Sequence, residues 1–225
     1  MQSSKYQRTA ARTLAAAIIL LGAVGLTRGD GAGPVQFNSK LRLHVWAVMQ
    51  IGGEQRPVGD TPSPTPLNIP ACLVWGVRPN GVSVQEVAQE IQAQSIPGLD
   101  ISWMNLSDAD FQHLSDAKGL QFLCLVATRL NDARVENLKN MTSLQYLRID
   151  HNTDVTGAGL QKIKGLTALK WLDLRGTLVD DTAVDALKQF KALKLLIFGE
   201  TRIKTNPADV AALKAALPAC DIHHD

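Results

Sequence analysis

The stretch LQYLRIDHNTDVTGAGL, residues 144–160, decides the fold. An apolar residue, Leu144, precedes the triplet Leu147-Arg148-Ile149 by three positions. A polar turn follows, then Val155 and the pair Gly159-Leu160. The arrangement returns in LKWLDLRGTLVDDTAVDAL, residues 169–187. Further out, Leu123-Cys124-Leu125 and Leu196-Ile197-Phe198 carry the triplet, led by Leu120 and Leu193. The period is 24 residues, with one residue inserted near His151-Asn152-Thr153. Extrapolation by 24 adds Leu99/Ile101 and Trp75/Val77 before these units and Cys220/Ile222 after them, seven rungs in all. A fixed period of this length means stacked units, each too small to bury its apolar face alone.

Within a unit the apolar spacing changes from two to helical. Phe111/Leu114, Val135/Leu138, Leu160/Ile163, Val184/Leu187 and Val210/Leu213 are pairs three apart on one helix face. Ser107, Asn131, Thr156, Asp180 and Asn206 stand where N-caps belong, Pro207 follows at the first helical position, and Ser107 to Asp110 has the spacing of a capping box. Each unit is therefore a short strand, a turn, a helix and a return.

The pattern LxxLxLxxTxVTDxGLxxL resembles that of leucine-rich repeats, in the bacterial variant with Thr where many repeats carry Asn. The resemblance covers residues 72–225. It implies an α/β solenoid, a horseshoe of about seven rungs with a parallel β-sheet on the concave face and helices on the convex face. It also implies binding work rather than catalysis, without naming a ligand.

The rest of the chain divides at residues 29 and 71. Lys5, Arg8 and Arg12 precede an uncharged apolar run at 14–26, shorter than the roughly 20 residues of a membrane span. Residues 1–29 thus read as a signal peptide or an uncleaved signal anchor, with Ala23 and Gly25 at the −3 and −1 positions of a cleavage site. Removing those three cations from 23 basic residues leaves 20 against 21 acidic, a formal charge of −1. No basic stripe with interleaved aromatics is present, so nucleic acid is not an expected partner. Residues 30–71 form a flanking or capping segment. In it Leu41, Leu43, Val45, Ala47, Met49 and Ile51 alternate as a strand with one buried face. Residues 59–70, with four prolines, read as an extended linker.

Strand register sorts the surface into columns. The column before each triplet reads Val74, Gly98, Phe122, Tyr146, Trp171, Leu195, Ala219. The middle column reads Gly76, Asp100, Cys124, Arg148, Asp173, Ile197, Asp221, and the next Arg78, Ser102, Val126, Asp150, Arg175, Gly199, His223. Phe122, Tyr146, Trp171 and Leu195 are thus expected as apolar anchors for a protein or peptide, with Asp100, Arg148, Asp173 and Arg175 as specificity contacts. The alternative is that the aromatics pair across strands and stabilise the sheet, covered by a flanking loop or by the strand at 41–51.

The chemistry-bearing residues give no enzyme. There is no GxSxG, HExxH or phosphate-cradling glycine loop, and Asp100 and Asp173 stand three strands, about 14 Å, apart. Asp150-His151-Asn152-Thr153-Asp154 begins like a calcium loop but has Val155 and Gln161 where Gly and Glu belong. Asp221, His223 and His224 lack further zinc ligands at a recognisable spacing. No metal and no cofactor are expected. Cys72, Cys124 and Cys220 fall on rungs too far apart for a disulfide, with Cys72 and Cys220 expected buried. The chain reads as an exported, non-catalytic interaction module, periplasmic, envelope-bound or secreted, touching membrane only through an uncleaved N-terminal segment. The alternative is an assembly protein that associates through its solenoid ends.

Overall fold

Four strands precede the repeats: β1 (Val35–Phe37), β2 (Leu43–Val48), β3 (Arg56–Thr61) and β4 (Leu67–Ile69). The computed structural model describes residues 35–203 and 206–224, and the targeting segment expected at 1–29 lies outside the described residues. The repeats supply β5 (Val74–Pro79), β6 (Gly98–Asp100), β7 (Phe122–Cys124), β8 (Tyr146–Arg148), β9 (Trp171–Asp173), β10 (Leu195–Ile197) and β11 (Asp221–His223). Each pairs in parallel with the next. β2 pairs antiparallel with β5, and β3 with β2, so one sheet runs from β3 through β5 to β11. β1 and β4 make a separate antiparallel ribbon.

Helices return the chain between strands: α1 (Val84–Gln94), α2 (Asp108–Leu114), α3 (Asp132–Val135), α4 (Gly157–Lys162), α5 (Val184–Leu187) and α6 (Pro207–Ala216). Glu136–Leu138 and Asp181–Ala183 are 3-10 turns that extend α3 and open α5. Ser107 and Asp110 form the expected capping box, and the side chains of Asn131, Thr156 and Asn206 accept from backbone N–H groups. Asp180 does not cap a backbone group; its Oδ1 accepts from the Thr182 hydroxyl at 2.5 Å, and the unit starts as a 3-10 turn. α1 was not among the expected helical pairs. Its signal is Ser83 and Glu86, a full capping box, with Val84, Val87, Ala88 and Ile91 buried.

The Leu-x-Leu positions face one core. Leu99, Leu123, Leu147, Leu172 and Leu196 line up strand by strand and pack against Val87, Phe111, Val135, Leu160 and Leu187 from the helices. After each of β7, β8, β9 and β10 a backbone carbonyl accepts from one side chain of the same unit. The hydroxyls of Thr128, Thr177 and Thr201 donate to Leu125, Leu174 and Phe198 carbonyls at 3.0, 2.6 and 2.6 Å. Asn152 does more. Its Nδ2 donates to the Leu125 and Ile149 carbonyls at 2.8 and 2.9 Å, and its Oδ1 accepts from Thr128 and Leu130 N–H.

The structure departs from the extrapolated period at both ends. Val77, not Trp75, stands opposite Leu99, and Ile222 stands opposite Leu196. The first spacing is thus two residues shorter and the last two residues longer than 24, because β5 is also held by β2 and a longer connection precedes α6. The columns change accordingly: Gly76 joins Gly98, Arg78 joins Asp100, and Asp221 joins Leu195.

The segment at 59–70 is not an extended linker throughout. Residues 59–61 end β3 and Leu67–Ile69 form β4, with the prolines at 62, 64 and 66 in the connection between them, and Ile69 is buried in the core with Phe37, whose ring lies 5.0 Å from that of Trp75. β2 also differs from a strand with one buried face. Leu43, Val45 and Ala47 join the main core, while Trp46 and Val48 are buried on the opposite face. Trp46 lies across the two adjacent glycines. A Cβ at Gly76 would stand 2.4 Å from both the Trp46 ring and the Gly98 carbonyl oxygen, and one at Gly98 would stand 2.7 Å from Trp46.

Gly76→Ala is expected to destabilise the fold by about 1–3 kcal/mol through overpacking. Gly165→Ala, where an added Cβ meets nothing within 4 Å, is expected to be neutral or stabilising by up to about 1 kcal/mol. Urea denaturation of the two variants measures the difference. Asn152→Ala, which strands several buried backbone groups, is expected to cost about 2–4 kcal/mol in the same assay.

Candidate functional site

The aromatic column lies on the sheet face opposite the main core, and it is buried there. Phe122, Tyr146, Trp171 and Leu195 form a second apolar cluster with Trp46, Val48, Val74, Cys124 and Val126. The Trp46 ring stands 4.8 Å from Phe122, and Phe122 in turn lies 6.2 and 6.3 Å from Tyr146 and Trp171. The turn after β2 extends the cover: a Cβ at Gly52 would come 3.1 Å from Leu195 Cδ2. The four residues expected as solvent-facing anchors are therefore brought together but do not offer a bare apolar strip. The physical reason is β2, whose alternation puts Trp46 over the glycine pair and against Phe122.

The expected specificity contacts are held by one another. Asp100 Oδ2 accepts from Arg78 Nη2 at 2.7 Å. Asp173, fully buried, accepts from Arg175 Nε at 3.0 Å and Nη2 at 2.6 Å, a bidentate pair. Arg148 lies between, with Nη2 at 3.3 Å from Asp150 Oδ2 and Nε at 3.7 Å from Asp173 Oδ2. Its guanidinium also stands 5.8 Å from the Trp171 ring. Three arginines face three aspartates, so the row is close to neutral and its members are oriented. Such buried pairs orient groups more surely than they stabilise a fold. Among the described residues, Asp150 Oδ1, Arg148 Nε and the indole nitrogens of Trp46 and Trp171 are buried without a hydrogen-bond partner.

Protonation follows from this packing. Burial pushes the Asp173 carboxyl up, and the nearby Asp150 carboxylate adds to that against the pull of Arg175 and Arg148. Burial also opposes charge on Asp150, but Arg148, the His151 hydrogen bond and Arg175 outweigh it and hold that carboxyl below its usual range. His151 Nδ1 lies 3.1 Å from Asp150 Oδ2, and this hydrogen bond raises the imidazole above its ordinary value. Cys124 is buried under the aromatic cluster, takes a hydrogen bond from the Ser102 hydroxyl at 3.1 Å, and is pushed up to about 12, chiefly by burial. Cys72 and Cys220 are half-buried rather than buried. Among the described residues, no group of three or more His, Cys, Asp or Glu is placed to hold a metal ion.

The exposed feature of this face sits one step past the strands. Trp103, Ala127, His151, Gly176 and Glu200 all have left-handed backbone, with φ of 66°, 51°, 59°, 62° and 61°. The repeat demands that turn in each of these units, and Gly176 meets it without strain. Trp103 is a bulky residue in a conformation that disfavours one, and it is 46% exposed. Its ring lies 6.4 Å from the half-exposed His151 ring, with small Ala127 at the equivalent turn of the unit between. Leu178, two residues after Gly176, is also an exposed apolar side chain. Sequence reading by columns stopped at Ser102 and its equivalents and missed Trp103; carrying the same repeat one position further would have found it.

No protein-family model and no curated relative matches this chain. Among solved structures, an internalin from Listeria monocytogenes superposes with a TM-score of 0.51 at 17% identity, over 65% of this chain and 38% of its own. The C-terminal domain of tropomodulin from Caenorhabditis elegans aligns at a TM-score of 0.47 and 13% identity, over 61% of this chain and 93% of that domain. This chain thus spans well under half of the internalin. The likeness concerns the fold: a mixed α/β, leucine-rich-repeat-like solenoid with a mostly parallel sheet.

His151 and Asp150 predict a pH dependence. An imidazole raised in the folded state contributes stability that is complete below its ordinary value, about 6.5, and that is lost as pH rises through the folded value. The thermal midpoint is therefore expected to fall between about pH 6 and pH 8, and His151→Gln is expected to flatten that fall. Asp150, held low, contributes in the opposite sense: its share is present above the ordinary carboxylate range and disappears in acid.

Proposed function

We propose that this chain is a non-catalytic recognition module that binds a protein or peptide along the margin where its parallel strands end. The exposed Trp103, fixed in a left-handed turn beside His151, is the observation that carries this reading. An aromatic anchor of this kind supplies buried area with little rotamer entropy to lose. Arg148 and Arg175, on later units of the same sheet, are directed donors preoriented by Asp150 and Asp173. In this reading Phe122, Tyr146, Trp171 and Leu195 are the floor beneath the contact surface, and Asp100 and Asp173 hold its cations. The full architecture is taken to be seven rungs curved into a horseshoe with the sheet inside. Export from a bacterial cell rests on the sequence of residues 1–29. Among the described residues, no helix is long and apolar enough to cross a membrane. A second reading, assembly through the end of the solenoid, is favoured by the open outer side of β11.

Peptides selected from a displayed library on the immobilised protein supply the test. Trp103→Ala is expected to weaken a selected peptide by about 10-fold or more while leaving the thermal midpoint in place, as measured by fluorescence polarisation and by melting. Unchanged affinity in that variant rejects the site.

A further inference from the structure

We infer that β11 is a self-complementary edge that pairs with β11 of a second copy of this chain, antiparallel and centred on Ile222. The inference deepens the assembly reading and does not involve Trp103.

The two outer edges of the sheet differ. β3 closes one side with Pro57, which lacks an N–H, with a bulge opposite Val45/Trp46, and with Asp60 paired to His44. These are the devices by which natural edges refuse further strands. β11 is short and carries an Asp–His pair of its own, but it has no proline and no bulge, and among the described residues it has a strand on one side only. Asp221 N–H donates to the Lys194 carbonyl, and the His223 carbonyl accepts from Phe198 N–H, both at 2.9 Å. Successive residues of a strand turn their backbone groups to opposite sides, so those of Ile222 point outward. An antiparallel pair centred there lets the two Ile222 residues exchange both N–H···O bonds.

The same centre places Asp221 opposite His223 of the second copy, and His223 opposite Asp221. Inside one chain these two already approach at 2.9 Å with both side chains exposed in part. The tripeptide Asp-Ile-His is thus charge-complementary to its own reverse. The half-buried Ile222 gains cover on the core side. Beside it, α6 buries only Val210 and Leu213 and turns Ala208, Ala211 and Ala215 to solvent, small residues that allow two helices to approach closely. Because β3 refuses a strand, the association is isologous and closes as a dimer rather than growing as a filament.

Sedimentation of the full chain over a wide concentration range reads the state. The expected result is a monomer–dimer equilibrium. Ile222→Pro and Asp221→Lys should each weaken it by about 10-fold or more, with unchanged circular dichroism melts. The exchange Asp221→His with His223→Asp, which keeps the pairing reversed, should retain the dimer. A monomer at every concentration overturns the inference. A dimer indifferent to the first two variants, or lost in the exchange, also overturns it; in the indifferent case assembly itself stands, through another surface.

Discussion

The four units of β7 to β10 each turn a backbone carbonyl after the strand toward a side chain of the same unit, and the stacking of these units depends on that carbonyl finding a partner. A buried, unpaired carbonyl costs on the order of 1–3 kcal/mol, so one failure per unit would exhaust the stability of an ordinary domain. Thr128, Asn152, Thr177 and Thr201 answer it, one per unit. Once that hydrogen bond is in place, the turn geometry follows, the next strand lands in register, and the leucines stack. The inserted residue in the Asn152 unit shows the tolerance of the scheme. The longer Asn side chain bridges two units at once, satisfying the carbonyls of both Leu125 and Ile149.

Register then settles what the other face of the sheet can be. The helices cover one side. On the opposite side the same stacking brings Phe122, Tyr146 and Trp171 together, and three large rings on adjacent strands are too much apolar surface to leave to water. β2 resolves this with Trp46. That ring can lie flat on the sheet only where two neighbouring strands carry no side chain, at Gly76 and Gly98. The consequence reaches the polar row beside it. Asp100, Arg148, Asp173 and Arg175 sit at the border of this cover and pair within the row, Asp100 with Arg78, Arg148 with Asp150 and Asp173, and Arg175 with Asp173. Contact with the outside passes to the next position along each unit, where Trp103 and His151 stand clear of it.

Much of this was legible in residue order. The 24-residue echo named the inward leucines, the helix faces and most caps, because these depend on local spacing and on interactions within one unit. The echo failed where a unit has a neighbour of another kind. β5 is gripped by β2 and starts two residues out of step, and the connection before α6 is longer, so β11 is out of step at the other end. Helix α1 carried a clear Ser83 and Glu86 signal that a search for the repeat passes over. The prolines at 59–70 suggested a linker; Pro62, Pro64 and Pro66 do lie between strands, but residues 59–61 and 67–69 on either side are strand, and Pro57 sits in the edge strand β3, where a missing N–H is harmless.

The sequence by itself therefore determined the repeating unit, the side of each strand that faces the helices and the column in which the aromatics stand. These are consequences of period and alternation, which any chain with this pattern must obey. Only the tertiary structure decided whether that column meets water. Burial is a property of what packs on top, and the residue that packs there, Trp46, lies 76 positions before Phe122 in the chain. No periodicity within the repeats encodes that contact. It depends on where β2 adds to the sheet and on two glycines that happen to be adjacent only once the strands are in register.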